Sequence, residues 1–292
     1  AAVQRAALLL AERRPGQLHV GVLADNIPEY VHWLGAAALA GATIVGVNPT
    51  RRGAELARDI THTDCQLLVV DPSYRDLLDG LDLGEGLGPD RVWHLDDPAY
   101  RDRLAAHEGA TLADVDAALA AEGRTVGPDD LYLLLFTSGT SGAPKAVKCS
   151  QGRLARIGGI VSMGFGLGPG SACYLSMPLF HSNALMAGWC PALAGGATSV
   201  LRRKFSASAF LDDVRRYGVT YANYVGKPLA YILATPEQPD DADNPLQIVF
   251  GNEASEGDIA EFGRRFGCVV IDGYGSSEGG ANVSRTPDTP PG

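Results

Sequence analysis

An apolar run at residues 131–136 (LYLLLF) leads straight into Thr137, Ser138, Gly139, Thr140, Ser141, Gly142, Ala143, Pro144 and Lys145. Residues of these types at this spacing are suited to holding an anion. Gly139 and Gly142 let the backbone approach a ligand closely. The hydroxyls and main-chain N–H groups of Thr137, Ser138, Thr140 and Ser141 form the pattern that cradles phosphate oxygens, and Lys145 adds a point charge. A Walker loop needs G-x-x-x-x-G-K-[ST] followed by a helix. Here Pro144 precedes the lysine, Ala146 follows it, and Val147 and Cys149 read as a returning strand. The expectation is therefore a strand–loop–strand phosphate clamp. The competing reading is a solvated surface hairpin, which seldom combines so many hydroxyls and glycines with a fixed lysine.

Three other places could carry chemistry. His181 stands between a proline-containing strand end and a helix start, in PLFHSNAL at 178–185. Gly251, Asn252 and Glu253 follow an apolar strand, and DGYGSSE at 272–278 ends in Glu278. Taken alone, a histidine is more often a satisfied structural residue, and a glutamate in a Gly-rich loop is most often just solvated. The other five histidines sit in no motif.

These residues need a scaffold, and the hydrophobic pattern supplies one. Strands are expected at 18–24, 43–47 and 66–70. Helices are expected from Asn26 as cap and Pro28 in the first turn to about Ala40, over 54–61, and near 74–78. The stretch 80–130, rich in Gly, Asp and Pro, reads as a peripheral excursion. Beyond it, Ser182 is expected to cap a helix over 185–193, and Ser206 to start one reaching Tyr217. Strands are expected at 198–201, 219–223, 246–250 and 268–271, with helices near 229–233 and over 256–266. Short buried strands alternating with helices imply an α/β fold of two successive, mostly parallel sheets with flanking helices. The expected division is a first α/β subdomain over 1–170 with the phosphate loop, and a second over 171–292.

The bulk properties narrow the function. A chain of 292 residues with 46% hydrophobic and 20% charged residues should fold into roughly two packed units. Its net charge of -10 and lack of a basic stripe argue against a nucleic-acid binder. Five scattered cysteines without C-x-x-C spacing indicate neither a disulfide framework nor a zinc cluster, and read as reduced thiols of a cytoplasmic protein. The most apolar stretch, 33–47, is broken by three glycines and falls short of the ~18 residues a membrane span needs. Ala1 opening directly into a helical pattern and the Pro-rich residues 286–292 suggest an excised fragment.

The loop T-S-G-T-[ST]-G-x-P-K, complete at 137–145, resembles the signature of the adenylate-forming superfamily of acyl-CoA synthetases, peptide-synthetase adenylation domains and luciferases. Ala146, where the superfamily commonly has Gly, is similar to the very-long-chain acyl-CoA synthetase and fatty acid transport protein branch. The stretches 178–185, 203–208 (RKFSAS) and 272–278, the last with Ser277 in place of Thr, resemble further motifs of that branch in the same order. The resemblance implies the layered αβαβα amino-terminal domain of such enzymes, with the ribose-binding Asp, the hinge and the small lid domain lying beyond Gly292, and hence a poorly active fragment.

It further implies ATP- and Mg²⁺-dependent activation of a long-chain, very-long-chain or sterol-derived carboxylic acid to acyl-AMP and then acyl-CoA. The alternatives are a fatty-acid uptake component or a ligase feeding a carrier protein. Ser138, Gly139, Thr140, Ser141 and Lys145, with Thr137 and Gly142 flanking, would hold the β- and γ-phosphates. Ser277 would meet the α-phosphate, and Glu278 would ligate Mg²⁺. Gly251, Asn252 and Glu253 would line one side of adenine, with Asp272, Gly273 and Tyr274 on the other and Gly275 and Ser276 continuing that wall. His181 would border the acyl carboxylate and the thiol entrance for coenzyme A. Met186, Tyr224, Gly226 and Leu229 are candidate acyl-pocket walls, against the alternative that apolar residues at such spacing are core. No carboxylate follows Phe180 to pair with a substrate ammonium, which favours an uncharged acyl tail. Peripheral membrane contact and a homodimer stay open.

Overall fold

A computed structural model describes residues 1–13, 16–137, 145–277 and 282–284. The chain separates into two compact units, Ala1–Arg153 and Leu154–Gly292.

The first unit runs α1 (Ala2–Glu12), β1 (His19–Leu23), α2 (Pro28–Ala40), β2 (Thr43–Gly46), α3 (Gly53–His62) and β3 (Leu67–Val70). After two 3₁₀ turns come β4 (Val92–His94), α4 (Pro98–Ala105), α5 (Leu112–Ala121), β5 (Leu131–Thr137) and β6 (Lys145–Ser150). The sheet order is β4-β3-β1-β2-β5-β6. All neighbours are parallel except β6, which returns antiparallel to β5 with Thr137 opposite Lys145. Strands β2 and β3 are buried throughout, as expected for parallel strands covered on both faces.

Local chemistry sets the helix ends. Pro28 occupies the first position of α2, and Gly41 closes it at φ +63°, its N–H donating to Ala37 O. The cap is Ile27 rather than the expected Asn26, and it makes no side-chain bond.

The stretch 80–130 is not a peripheral excursion. It adds β4 to the sheet and two helices to its cover, burying Trp93 and Tyr100 to 4% exposure. Glu29 of α2 accepts from the Arg5 guanidinium of α1 and from the Tyr100 hydroxyl of α4, and the Trp33 Nε1–H donates to that same hydroxyl at 3.2 Å. The Gly, Asp and Pro content suggested loop because these residues sit in turns and caps, as in the Thr111–Asp114 capping box of α5.

The boundary between units falls in the first turn of α6 (Gln151–Gly164). The second unit continues with β7 (Ala172–Leu175), a π-helical turn (Ala184–Trp189), α7 (Cys190–Gly195), β8 (Thr198–Leu201) and α8 (Phe210–Tyr217). Then follow β9 (Tyr221–Val225), α9 (Pro228–Leu233), β10 (Ile248–Asn252), α10 (Glu256–Phe266), β11 (Val269–Gly275) and β12 (Asn282–Ser284). The sheet order is β12-β11-β10-β9-β7-β8, parallel except for β12. One face packs on Phe210, Phe262, Phe266, Leu229 and Ile232, all 3% exposed or less.

Three local differences from the sequence reading matter. The helix expected from Ser206 starts at Phe210. Ser182, expected as a cap, is itself helical together with Asn183, and the helix passes at once into a π turn before which Asn183 makes no side-chain cap bond. Strand β11 runs to Gly275, so Asp272, Gly273 and Tyr274 belong to the strand itself.

Beside the starts of β10 and β11, Arg265 is 5% exposed and fully engaged. Its Nε donates to Asp241 Oδ2 at 2.6 Å, and its other N–H groups reach Leu233 O, Thr235 O, Thr235 Oγ1 and Pro236 O at 2.9–3.1 Å. All five cysteines are free. Among the described residues no helix is long and apolar enough to cross a membrane.

Candidate functional site

Chain order against sheet order locates the crevice of the second unit. From β7 the chain crosses to β8 on one side, then returns to β9 on the other and moves outward through β10 and β11. The switch between β7 and β9 is where open parallel sheets bind ligands, outside the carboxyl ends of the strands. The segments emerging there are 176–183 after β7, Gly226 after β9, Glu253 after β10 and Ser276–Ser277 after β11.

Register explains how these ends meet. Gly251 lies opposite Tyr224 on one side and Asp272 on the other. A Cβ at Gly251 would stand 2.1 Å from Tyr224 O and 2.6 Å from its ring, so only glycine fits this strand floor. The Tyr224 hydroxyl donates to Asp272 Oδ2 at 2.6 Å, and the Ala254 N–H donates to the same oxygen at 3.0 Å. Burial and the Asp272 carboxylate push the Tyr224 phenol well above its ordinary value, so it stays a donor. The turn is sharpened by Gly226 at φ +74° and Glu253 at φ +72°, with the Gly226 N–H donating to Asn252 O at 3.0 Å. A non-glycine residue in the left-handed region carries strain of the kind that concentrates at functional sites.

The loop after β7 is tied to these ends by side chains. Asn183 Nδ2 donates to Tyr224 O at 2.9 Å and to Asn252 Oδ1 at 3.3 Å, while Asn223 Nδ2 donates to Asn183 Oδ1 at 2.7 Å. Asn252 Nδ2 in turn donates to Gly273 O. The hydroxyls of Ser182 and Ser277 are 2.7 Å apart. His181 reaches solvent, yet its ring packs against Phe180 at 4.3 Å between centroids, and desolvation holds it below the ordinary imidazole value. A neutral imidazole beside this edge can accept or pass a proton near neutral pH.

The predicted site residues thus fall into groups. Gly226, Gly251, Asn252, Glu253, Asp272, Gly273, Tyr274, Gly275, Ser276 and Ser277 come together at the carboxyl edge with His181, and Tyr274 is 63% exposed. Tyr224 and Leu229 are 2% exposed within the core cluster, and Met186 lies half-buried in the π turn. In the first unit, Thr137 ends β5 and Lys145 opens β6 with an exposed side chain. Ser138, Gly139, Thr140, Ser141, Gly142 and Glu278 lie outside the described residues. Among the described residues no group of three or more His, Cys, Asp or Glu could hold a metal ion. A groove of about 730 Å³ in the first unit, lined by Leu78, Leu81, Asp82 and Leu87, touches none of these residues. Sequence reasoning missed Asn183, Asn223 and the Ser182–Ser277 contact. The signal available was slight: Asn183 sits two residues past the motif histidine.

Known proteins share this sequence and fold. The chain is 54% identical over 288 residues to the steroid-22-oyl-CoA synthetase of Rhodococcus jostii (strain RHA1), covering 99% of this chain and 50% of that protein. It is 53% identical over 276 residues to the medium/long-chain-fatty-acid--CoA ligase FadD17 of Mycobacterium tuberculosis, covering 94% of this chain and 51% of that one. The chain therefore spans about half the length of these curated relatives. The inhibitor-bound crystal structure of the N-terminal domain of FACL13 from Mycobacterium tuberculosis superposes with a TM-score of 0.77. At 19% identity, with 95% of this chain and 67% of that chain covered, the superposition establishes the shared α/β fold. The family model of the AMP-binding enzymes matches residues 1–292, and this chain belongs to that family.

Proposed function

We propose that the protein containing this chain uses ATP to activate a fatty or sterol-derived carboxylic acid as its acyl-adenylate and then transfers the acyl group to coenzyme A. The observation that carries this reading is that the β9, β10 and β11 ends lie beside the β7–β9 switch point, where a glycine-floored shelf adjoins the histidine-bearing loop. Adenylation demands mainly that a carboxylate be held in line with a phosphorus, so positioned donors do most of the work.

In this reading Gly251, Asn252 and Glu253 border adenine on one side. Asp272, Gly273 and the exposed Tyr274 ring border it on the other, with the Asp272 carboxylate already fixed by two donors. Ser277 donates toward the α-phosphate, with Ser182 holding its hydroxyl. Lys145 and the hydroxyls of 137–141 take the outer phosphates, and Glu278 is the residue assigned to Mg²⁺, which would neutralise phosphate charge. His181, neutral at physiological pH, borders the acyl carboxylate. The lack of a carboxylate after Phe180 supports an apolar acid. Two relatives named for CoA ligation of steroid and fatty acids support the acceptor and the substrate class.

The test is ATP–pyrophosphate exchange on the full-length protein with medium-chain, long-chain and sterol-derived acids, followed by mass detection of the CoA thioester. Acid-dependent exchange and thioester formation are expected, with residues 1–292 alone exchanging more slowly. Exchange that no acid stimulates would overturn the reading.

A further inference from the structure

The three asparagines at the carboxyl edge form one directed chain. Asn223 Nδ2 donates to Asn183 Oδ1, Asn183 Nδ2 to Asn252 Oδ1, and Asn252 Nδ2 to Gly273 O. Each carboxamide accepts at its oxygen and donates at its nitrogen, so the orientation of one fixes the next. The chain begins in β9, passes through the loop that carries His181 and Ser182, crosses β10 and ends in β11. Asn183 is its branch point, because its Nδ2 also holds Tyr224 O at 2.9 Å.

The head of the chain is confined. Asn223 is 3% exposed and its Oδ1 has no hydrogen-bond partner. That oxygen faces Gly188 in the π turn, where an added Cβ would stand 2.7 Å from it. Burying an amide oxygen without a partner costs its hydration with no bond in return. An apolar residue at 223 would avoid that cost but would leave Asn183 Oδ1 without its donor.

We propose that Asn183 is a positioning residue for acyl activation, holding the His181–Ser182 loop on β9 and β10 so that the acid and the nucleotide meet in register. The inference rests on the reaction proposed above. It assigns Asn183 no contact with substrate. Asn183 acts through Ser182 and Asn252, whose partners are Ser277 and Gly273.

The experiment is acid-dependent pyrophosphate exchange on the full-length protein with a double-mutant cycle. Asn183→Ala should lower kcat by about tenfold to a hundredfold, the scale of a small misplacement of reacting groups. KM for ATP and acid should change by less than about threefold. Asn223→Ala should give a smaller loss of the same kind. The double variant should lose no more than Asn183→Ala alone, since both act through one chain. Gly188→Ala, which removes no amide but crowds Asn223 Oδ1, should reproduce the Asn223→Ala loss. Should Asn183→Ala fail to fold, the isosteric Asn183→Asp carries the test. It still accepts from Asn223 but turns an oxygen toward Tyr224 O and Asn252 Oδ1, and the same fall in kcat is expected. Additive losses, or an unchanged kcat in a folded Asn183 variant while wild type exchanges, overturn this inference alone. A wild type without acid-dependent exchange removes the reaction, and the inference with it.

Discussion

Beside the starts of β10 and β11, Arg265 directs every N–H to an acceptor and pairs with Asp241, while within β9, on the way to the carboxyl edge, Asn223 keeps a buried oxygen with no partner. Both assemblies are polar, and both are central to the same sheet. The arginine cluster is closed: it ties α10 to the chain following α9 and leaves nothing for a ligand to meet. The asparagine chain is left incomplete and neutral, and it lies where parallel strands present their carboxyl ends. Satisfaction at one edge builds the scaffold, and incomplete satisfaction at the other marks the place where loops must be aimed.

Breaking the closed edge should have the largest effect on stability. Arg265→Ala leaves the Asp241 carboxylate, 3% exposed, without its partner, and should cost about 3–5 kcal/mol in urea unfolding. Well below its unfolding temperature this variant should keep the wild-type kcat for exchange. A fall in kcat with intact stability would erase the contrast between the edges. Next is Gly251→Ala, whose Cβ meets backbone rather than a movable side-chain tip. It should cost about 1–3 kcal/mol by overpacking and raise KM for ATP, because Tyr224 and Asp272 must shift with the strands. Wild-type KM for ATP in that variant would detach β10 from the nucleotide.

The smallest effect is a pH dependence. Burial alone would raise the Asp241 carboxyl, but the Gln238 N–H and the Arg265 guanidinium outweigh it and hold the group below the usual carboxylate range. A depressed carboxylate contributes stability above its unfolded value, roughly pH 4, and loses it as pH falls through the folded value. Urea midpoints taken downward from pH 5 should therefore fall more steeply for wild type than for Asp241→Asn. Parallel lines would show that the pair contributes nothing through charge.

What could be read from the chain follows from the range of the forces involved. Helix α10 was legible to the residue, because Ser255, Asp258 and Gly267 act within a few positions of its ends. The alternation of apolar runs carried the α/β class for the same reason. Strand β4 was hidden in a Pro- and Asp-rich stretch, since three residues, Val92–His94, are too few to show a period. The asparagine chain was illegible for a different reason. Positions 183, 223 and 252 are joined only by the strand order β10-β9-β7, and that order has no local signal. Ser182 reads as a helix cap in sequence, yet its hydroxyl turns to Ser277, 95 positions away.

The π turn at Ala184–Trp189 is one wide turn set within helical backbone, and Ala184, Leu185, Ala187, Gly188 and Trp189 are all buried in it. Deleting one residue there would tighten the winding and change which side chains face inward, Gly188 beside Asn223 among them. The spare residue therefore couples the histidine loop to the helix behind it, and a length change would be felt on both sides.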